Sequence, residues 1–539
     1  MQSGIRDSQP TAKNSICDLP VELLVVIFQE LDIQTLFRCK VVCRLFRDID
    51  DVGLQYKIEL ALAGMEDGPP SHLTPRDRIE MLRARQKAWS TLTWTSEETI
   101  AVEGHSWELF GGILAQADGP SSIVFRQLPS KFRGLESFEW RVDNLNFMFM
   151  DFAMDHSLDL LVAIEMEHCK IHLRSLTTGE PHPLAFNPVI QHDSLDVDQA
   201  WIFKMRNSGS FIGVLTSLDL GRLLVFYNWR TGERVLELNE PMPRCFAFLT
   251  DDLVMVASLE ATPLHASLSI YDLNLAPTDA GICTFLLPQV RDQSSMLTTK
   301  ISIGGDQSCL WVPHSSLKVP FFTSHKNKLL EITYSSNGEA CRLFYVFFVP
   351  ISTILKHVHA IQTGEADCNI IPWNEWGVRG ARFLRLGYNP SSSWVRCAYG
   401  QEYVMGDQYL PSQGYKTVRL YDFNSLSLKR ALSSVGHTDD RKKEIIADTT
   451  GVEVDTFEFP VFSSLPYQVR TVQLPARGSD GRHMLYAAMM LTEDALIAVS
   501  VSRKLSMKYI SCSPATLSEP GQGLILSLFD QPIGTSLFT

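Results

Sequence analysis

Residues Ile16–Ile49 read ICDLPVELLVVIFQELDIQTLFRCKVVCRLFRDI. Leu19-Pro20 opens a helix, because the N–H that proline lacks is an unpaired donor in a first helical turn anyway. Leu23, Leu24, Ile27, Phe28 and Leu31 follow at three- and four-residue spacing and make one wide apolar face. Asp32 is placed to cap a second run, Ile33–Arg38, with Leu36 and Phe37 turned inward. Val41, Val42, Leu45 and Phe46 supply a third apolar strip. The stretch carries more apolar surface than so small a unit can bury alone. Two readings are open: a helical domain whose apolar residues are all core, or a docking module for a large body that follows.

Leu19-Pro20, Glu22, Leu23, Ile27-Phe28, Leu31, Leu36 and Val42-Cys43 stand where an F-box has its recurring residues, and residues 18–49 resemble that motif. Phe46 departs from it, standing where many members carry tryptophan. The resemblance implies an F-box over residues 16–50 that binds the Skp-type adaptor of a cullin-RING ubiquitin ligase. It makes Leu19, Pro20, Leu23, Ile27, Phe28 and Leu31 the candidates for the adaptor interface. Such an interface is helix packing in which a few buried apolar anchors carry most of the energy.

Residues 1–15 are polar and expected to be disordered. Residues 51–94 read as a helical linker. Leu54–Ala63 is one helix, stopped by Gly64, and MEDGPPSH is a loop. Thr74-Pro75-Arg76-Asp77 starts another helix with cap, proline and acid in order, running to about Trp89. Ile79, Leu82, Gln86 and Trp89 share one face. Arg76, Arg78, Arg83, Arg85 and Lys87 make the segment basic, either as a solvated face or as a contact for an acidic partner. The arrangement also resembles the segment behind the F-box in a group of fungal F-box proteins, which implies a rigid bridge to a β-rich body.

From about Thr95 the texture changes to short β-prone runs ending in Gly, Asn, Asp or Ser. One unit recurs: Val225-Phe226-Tyr227-Asn228-Trp229 with Thr231-Gly232, Ile270-Tyr271-Asp272-Leu273, Leu420-Tyr421-Asp422-Phe423, and a weaker copy at Leu173–Leu176 with Thr178-Gly179. Gly179 and Gly232 are 53 residues apart, and Tyr227 and Tyr271 are 44 apart. That is near the length of one four-stranded propeller blade. The Tyr-Asp and Thr-Gly elements resemble degenerate WD-type repeats. The fold expected is a small all-α F-box module plus a large all-β domain at 95–539, a β-propeller of roughly six to eight blades. A less regular β-body or two stacked β domains is the alternative. Ser434–Thr450 reads as a surface loop, and residues 464–483, with proline, glycine and both charges, include another loop.

The net charge is −13, which argues against general nucleic-acid affinity. The 11 cysteines are odd in number and form no CxxC, so a reducing compartment, cytoplasm or nucleus, fits best. The apolar run at Leu343–Ile351 is about half of what a bilayer span needs, so no membrane is expected. Neither GxGxxG, Walker A, HExxH nor GxSxG occurs, and no cofactor or metal is expected. Cys39 and Cys43 read as core or boundary residues of the helical module. His357 and His359 read as alternating on a strand, and Glu165, Glu167 and His168 as a polar strand end. Trp373, Trp376 and Trp394, with Arg382 and Arg385 beside them, are the candidates for holding a target protein, against a bland reading as packing between blades. The whole is read as a non-enzymatic substrate-recognition subunit. A non-ligase scaffold and a propeller enzyme with an accessory dock are the alternatives.

Overall fold

The computed structural model describes residues 15–91, 96–101, 106–130, 135–165, 170–192, 202–218, 221–260, 265–275, 281–291, 299–305, 319–324, 327–337, 342–366, 368–386, 397–407, 417–433, 443–474, 486–493, 495–501 and 505–511. The N-terminal part is helical: α1 (Val21–Glu30), α2 (Ile33–Lys40), α3 (Arg44–Asp48), α4 (Val52–Ala63) and α5 (Pro75–Thr91). A β-propeller follows. Among the described residues, six sheets of four or five strands are built from successive parts of the chain between Trp107 and Gln473. A seventh closes the ring. In it Ser96–Ala101, from before the first blade, pairs with Leu505–Ser511 and so joins the strands from Tyr486 onward. Closure of this kind hides strand edges that would otherwise template aggregation.

Alternation explains why the blades stack. In Leu160–Glu165 nearly every side chain is buried, but on two different sides. Leu161 and Ala163 pack with Phe125 and Phe149 of the preceding interface, while Leu160, Val162 and Ile164 pack with Val214 and Trp229 of the next. Leu223, Val225 and Tyr227 face back, and Leu224 and Phe226 face forward to Phe246 and Phe248. A period of two between two neighbours gives continuous apolar runs, not the half-polar alternation of a one-sided sheet.

The recurring unit of the sequence is the end of each blade's third strand. Asn228, Asp272 and Asp422 pair with the first residue of the preceding strand. Each side-chain Oδ1 then accepts the backbone N–H two residues on, from Arg230, Asn274 and Asn424 at 3.0, 2.9 and 2.8 Å. These are Asx turns, which is why a polar residue follows the tyrosine.

Several loop readings are corrected. Residues 443–446, read as loop, form a fifth strand on the sixth blade, and 434–442 lie outside the described residues. Within 464–483, residues 467–473 are a strand of that blade, and 475–485 lie outside the described residues. Met65–Asp67, read as loop, pairs with Phe321–Thr323. His357 and His359 sit on a helix, Ile351–Gln362, not on a strand. Glu165 pairs with His172 at 3.0 Å, while Glu167 and His168 lie outside the described residues. So do residues 1–14.

Candidate docking face

Local capping fixes the first three helices. Asp32 Oδ1 accepts the N–H groups of Gln34 and Thr35 at 2.9 and 3.0 Å and so starts α2. The hydroxyl and N–H of Thr35 hold its carboxyl below the usual range. Pro20 is the N-cap of α1, one position before the first helical turn where the sequence placed it. Leu24, Phe28, Leu36, Phe46, Ile49 and Leu54 close a small core, with Phe28 and Phe46 edge to face at 5.1 Å. Leu54 belongs to α4, so this core reaches past residue 50.

The core leaves much apolar surface outside. Leu19, Leu23 (50% exposed), Val26 and Ile27 lie bare along α1. Phe37, Val41, Val42 and Leu45 lie bare along α2 and α3, with Val41 at 84% and Val42 at 69% exposure. Two corrections follow. Phe37, read as turned inward, is exposed, whereas Leu36 is buried. Phe28, 1% exposed, is core and cannot itself meet an adaptor, and Leu31 is half-buried against the same core. Leu19, Pro20, Leu23 and Ile27 remain accessible. Cys39 and Cys43 are half-buried against the core.

Helices α4 and α5 join this module to the propeller. Gly64 turns the chain out of α4 at φ +69°, and a β-carbon on Gly68 would stand 1.9 Å from the Val319 carbonyl. The Thr74–Asp77 capping box predicted for α5 is present. The basic run is a solvated face only in part: Arg76, Arg83 and Lys87 are exposed, and Arg78 and Arg85 are not. Arg78 is buried and its guanidinium donates to Asp67 and to the carbonyls of Gly68, Pro69 and Pro320. Arg85 is buried too and donates to the Glu493 carbonyl in the closing sheet. Arg83 and Arg430 both bind Glu59, at 2.9 and 3.0 Å; burial raises that carboxyl, but the two guanidiniums outweigh it and hold it low. Arg470 donates to the Trp89 carbonyl at 2.7 Å, and Asn424 to that of Leu62 at 2.8 Å.

The candidate target-binding residues separate. Trp376 is buried, edge to face with Phe285, and its Nε1–H donates to the Leu286 carbonyl at 3.0 Å. Arg382 is fully buried, donating to the carbonyls of Leu465 and Asp448 and to Thr450, with Tyr467 under its guanidinium. Both are packing residues. Trp373 is half-buried and Arg385 exposed, and Trp394 lies outside the described residues. Among the described residues there is no cluster of His, Cys, Asp or Glu able to hold a metal, and no helix is long and apolar enough to cross a membrane.

An F-box-like family model matches residues 16–56. The chain thus has an F-box-like segment followed by a β-propeller, and such a segment implies a Skp1-type adaptor as partner. No curated protein matches the chain. Similar solved structures include Kluyveromyces lactis Hsv2, at 8% identity and TM-score 0.35, covering 76% of this chain and 93% of that one. BamB from Moraxella catarrhalis gives 10% identity and TM-score 0.31, covering 78% and 99%. The β-propeller domain of Cps50 (Swd1) from Myceliophteria thermophila gives 9% and 0.30, covering 67% and 82%. At such scores these likenesses carry nothing further.

Proposed function

We propose that this protein is the substrate-recognition subunit of a Skp-cullin-F-box ubiquitin ligase, acting in the cytoplasm or nucleus. The observation that carries this is the bare apolar face of an F-box-like module whose core is already complete without it. An apolar face of that size calls for a partner. Leu19, Pro20, Leu23 and Ile27 dock on the adaptor, and through it the protein meets the cullin. The propeller holds a target protein. Chemistry belongs to the partners; this chain supplies proximity, raising the effective concentration of a target lysine near the charged thioester. The buried arginines of the joint support that role, since proximity needs a fixed span between dock and target.

The test is a pulldown of the full chain beside a Leu23→Asp, Ile27→Asp variant, read by mass spectrometry. Both residues are exposed, so the variant is expected to melt with the wild type. Adaptor and cullin are expected with the wild type and lost from the variant. Adaptor retained by the variant would overturn the docking face. Adaptor captured without cullin would favour the non-ligase scaffold.

A further inference from the structure

The first strands of neighbouring blades meet one another around the ring. In the third blade that strand is Ile202–Ser208. Its Met205 packs back against Leu160 and Val162 of the second blade. Lys204 and Arg206, one residue to either side, share the opposite face and look toward the fourth blade.

Arginines define what Lys204 meets there. Arg206 is buried and donates to the carbonyls of Phe246 and Ile303 at 3.0 and 3.1 Å. Arg222, from the third strand of the same blade, donates to the Arg244 carbonyl at 3.0 Å. Residues 244 and 246 flank Cys245, so the two guanidiniums close on one short piece of the fourth blade. The neighbours of Lys204 are these same groups: Arg206, Arg222 and Cys245. Burial pushes the Cys245 thiol up, so it is no counter-ion. Among the described residues, no carboxylate and no hydrogen-bond acceptor meets the Lys204 ammonium. The side chain nevertheless keeps partial solvent access.

A lysine so placed loses its proton readily. Burial and two cations disfavour the ammonium, and its pKa falls from 10.5 to about 7. Much of the amine is then free and nucleophilic at neutral pH, which is the condition of imine-forming lysines beside other cations. Arg222 supplies a second element. It spends one N–H on the Arg244 carbonyl, and its fork keeps further donors and partial solvent access. Such a fork suits the oxygens of a phosphate.

We propose that Lys204 is a site of covalent, reversible uptake of small aldehydes that carry a phosphate, with Arg222 holding the phosphate. The lone pair of the Lys204 nitrogen forms a bond to the carbonyl carbon. The carbon–oxygen bond then breaks, and the oxygen leaves as water with both hydrogens of the amine, so that a C=N bond remains. The step needs no oxidant, reductant or further reactant. It does not rest on adaptor docking, whose residues lie in the helical module.

The experiment incubates the full chain with glycolaldehyde phosphate, traps imines with cyanoborohydride and maps the reduced adducts by peptide mass spectrometry. Glycolaldehyde is run beside it. At neutral pH Lys204 is expected to be labelled at least about tenfold faster than any other lysine of the chain. Its labelling should rise with pH and reach half its limit at about 7. Glycolaldehyde should label it several-fold more slowly, and Arg222→Gln should remove that preference for the phosphate. Lys204 labelled no faster than the other lysines, or with a midpoint near the ordinary 10.5, would overturn the reactive amine. Equal rates for the two aldehydes on the wild type would overturn the phosphate, whatever the stability of the variant. A phosphate preference that survives in folded Arg222→Gln protein would overturn the role of Arg222.

Discussion

The helical segment in front of the propeller has two ends that reverse the usual rule. At residues 19–45 apolar side chains stand in solvent. At residues 67–89 two arginines, Arg78 and Arg85, are buried. The difference separates an exchangeable contact from a permanent one. Apolar surface left bare can be covered and uncovered without leaving a charge stranded. A guanidinium buried against fixed carbonyls cannot leave without exposing unpaired donors and acceptors, so it marks a joint built to stay closed.

The strongest way to break that contrast is Arg78→Ala. It removes the guanidinium from Asp67 and from the carbonyls of Gly68, Pro69 and Pro320; Tyr56 still donates to Asp67 and Pro320, while Gly68 and Pro69 lose the donor. We expect a loss of about 3–4 kcal/mol, from two acceptors left without this donor and the space it filled. Denaturant unfolding would read it, together with faster proteolysis between α4 and α5. Unchanged stability would mean that the joint is held elsewhere. Next is Phe28→Ala, which empties the module core beside Phe46 and should remove about 3 kcal/mol. Far-UV helical signal against denaturant checks it. Because Phe28 is core, adaptor binding should fall only as far as the module unfolds.

These two residues show what the sequence could say. Helix spacing announced α1, α2 and the caps, because local hydrogen bonds and a 3.6-residue period decide them. It did not say which apolar residue faces in. Leu23 and Leu24 are adjacent in sequence and equally apolar, yet one is half exposed and the other is fully buried, a choice made by α3 and α4. The blades were legible through the Tyr-Asp and Thr-Gly turns, because an Asx turn is local chemistry. The fates of Arg78, Arg85 and Arg382 were not, because their acceptors are carbonyls that lie far along the chain or carry no side-chain signal. A basic run reads as solvated until the fold brings carbonyls to it.

A buried carboxyl in the propeller sharpens the contrast from the other side. Glu331 is buried with one hydroxyl, Tyr403, donating to it at 2.9 Å. Burial pushes it up to about 7 from its ordinary 4.5, although Tyr403 acts to lower it. The folded state therefore holds this proton more tightly than the unfolded chain. Stability is full below 4.5 and falls as pH rises toward 7, then levels. Glu331→Gln removes that decline. At about pH 8 the variant should be more stable than wild type by on the order of 2 kcal/mol, with little difference at about pH 4. Denaturant midpoints at both pH values check it. A parallel pH dependence in wild type and variant would show that Glu331 is not the group responsible.

The smallest effect on stability is the most telling about the bare face. Val41 and Val42 sit at the end of α2, mostly in solvent, and contribute little to the module core. Val41→Ser with Val42→Ser should shift stability by no more than about 0.5 kcal/mol. If the strip formed by Phe37, Val41, Val42 and Leu45 continues the adaptor contact begun by Leu23 and Ile27, the same variant should bind adaptor several-fold more weakly, since apolar anchors carry such interfaces. Titration of purified adaptor into both proteins measures this. Equal affinity would confine docking to α1 and leave the second strip free for another surface, whereas weaker binding at unchanged stability would extend the dock across all three helices.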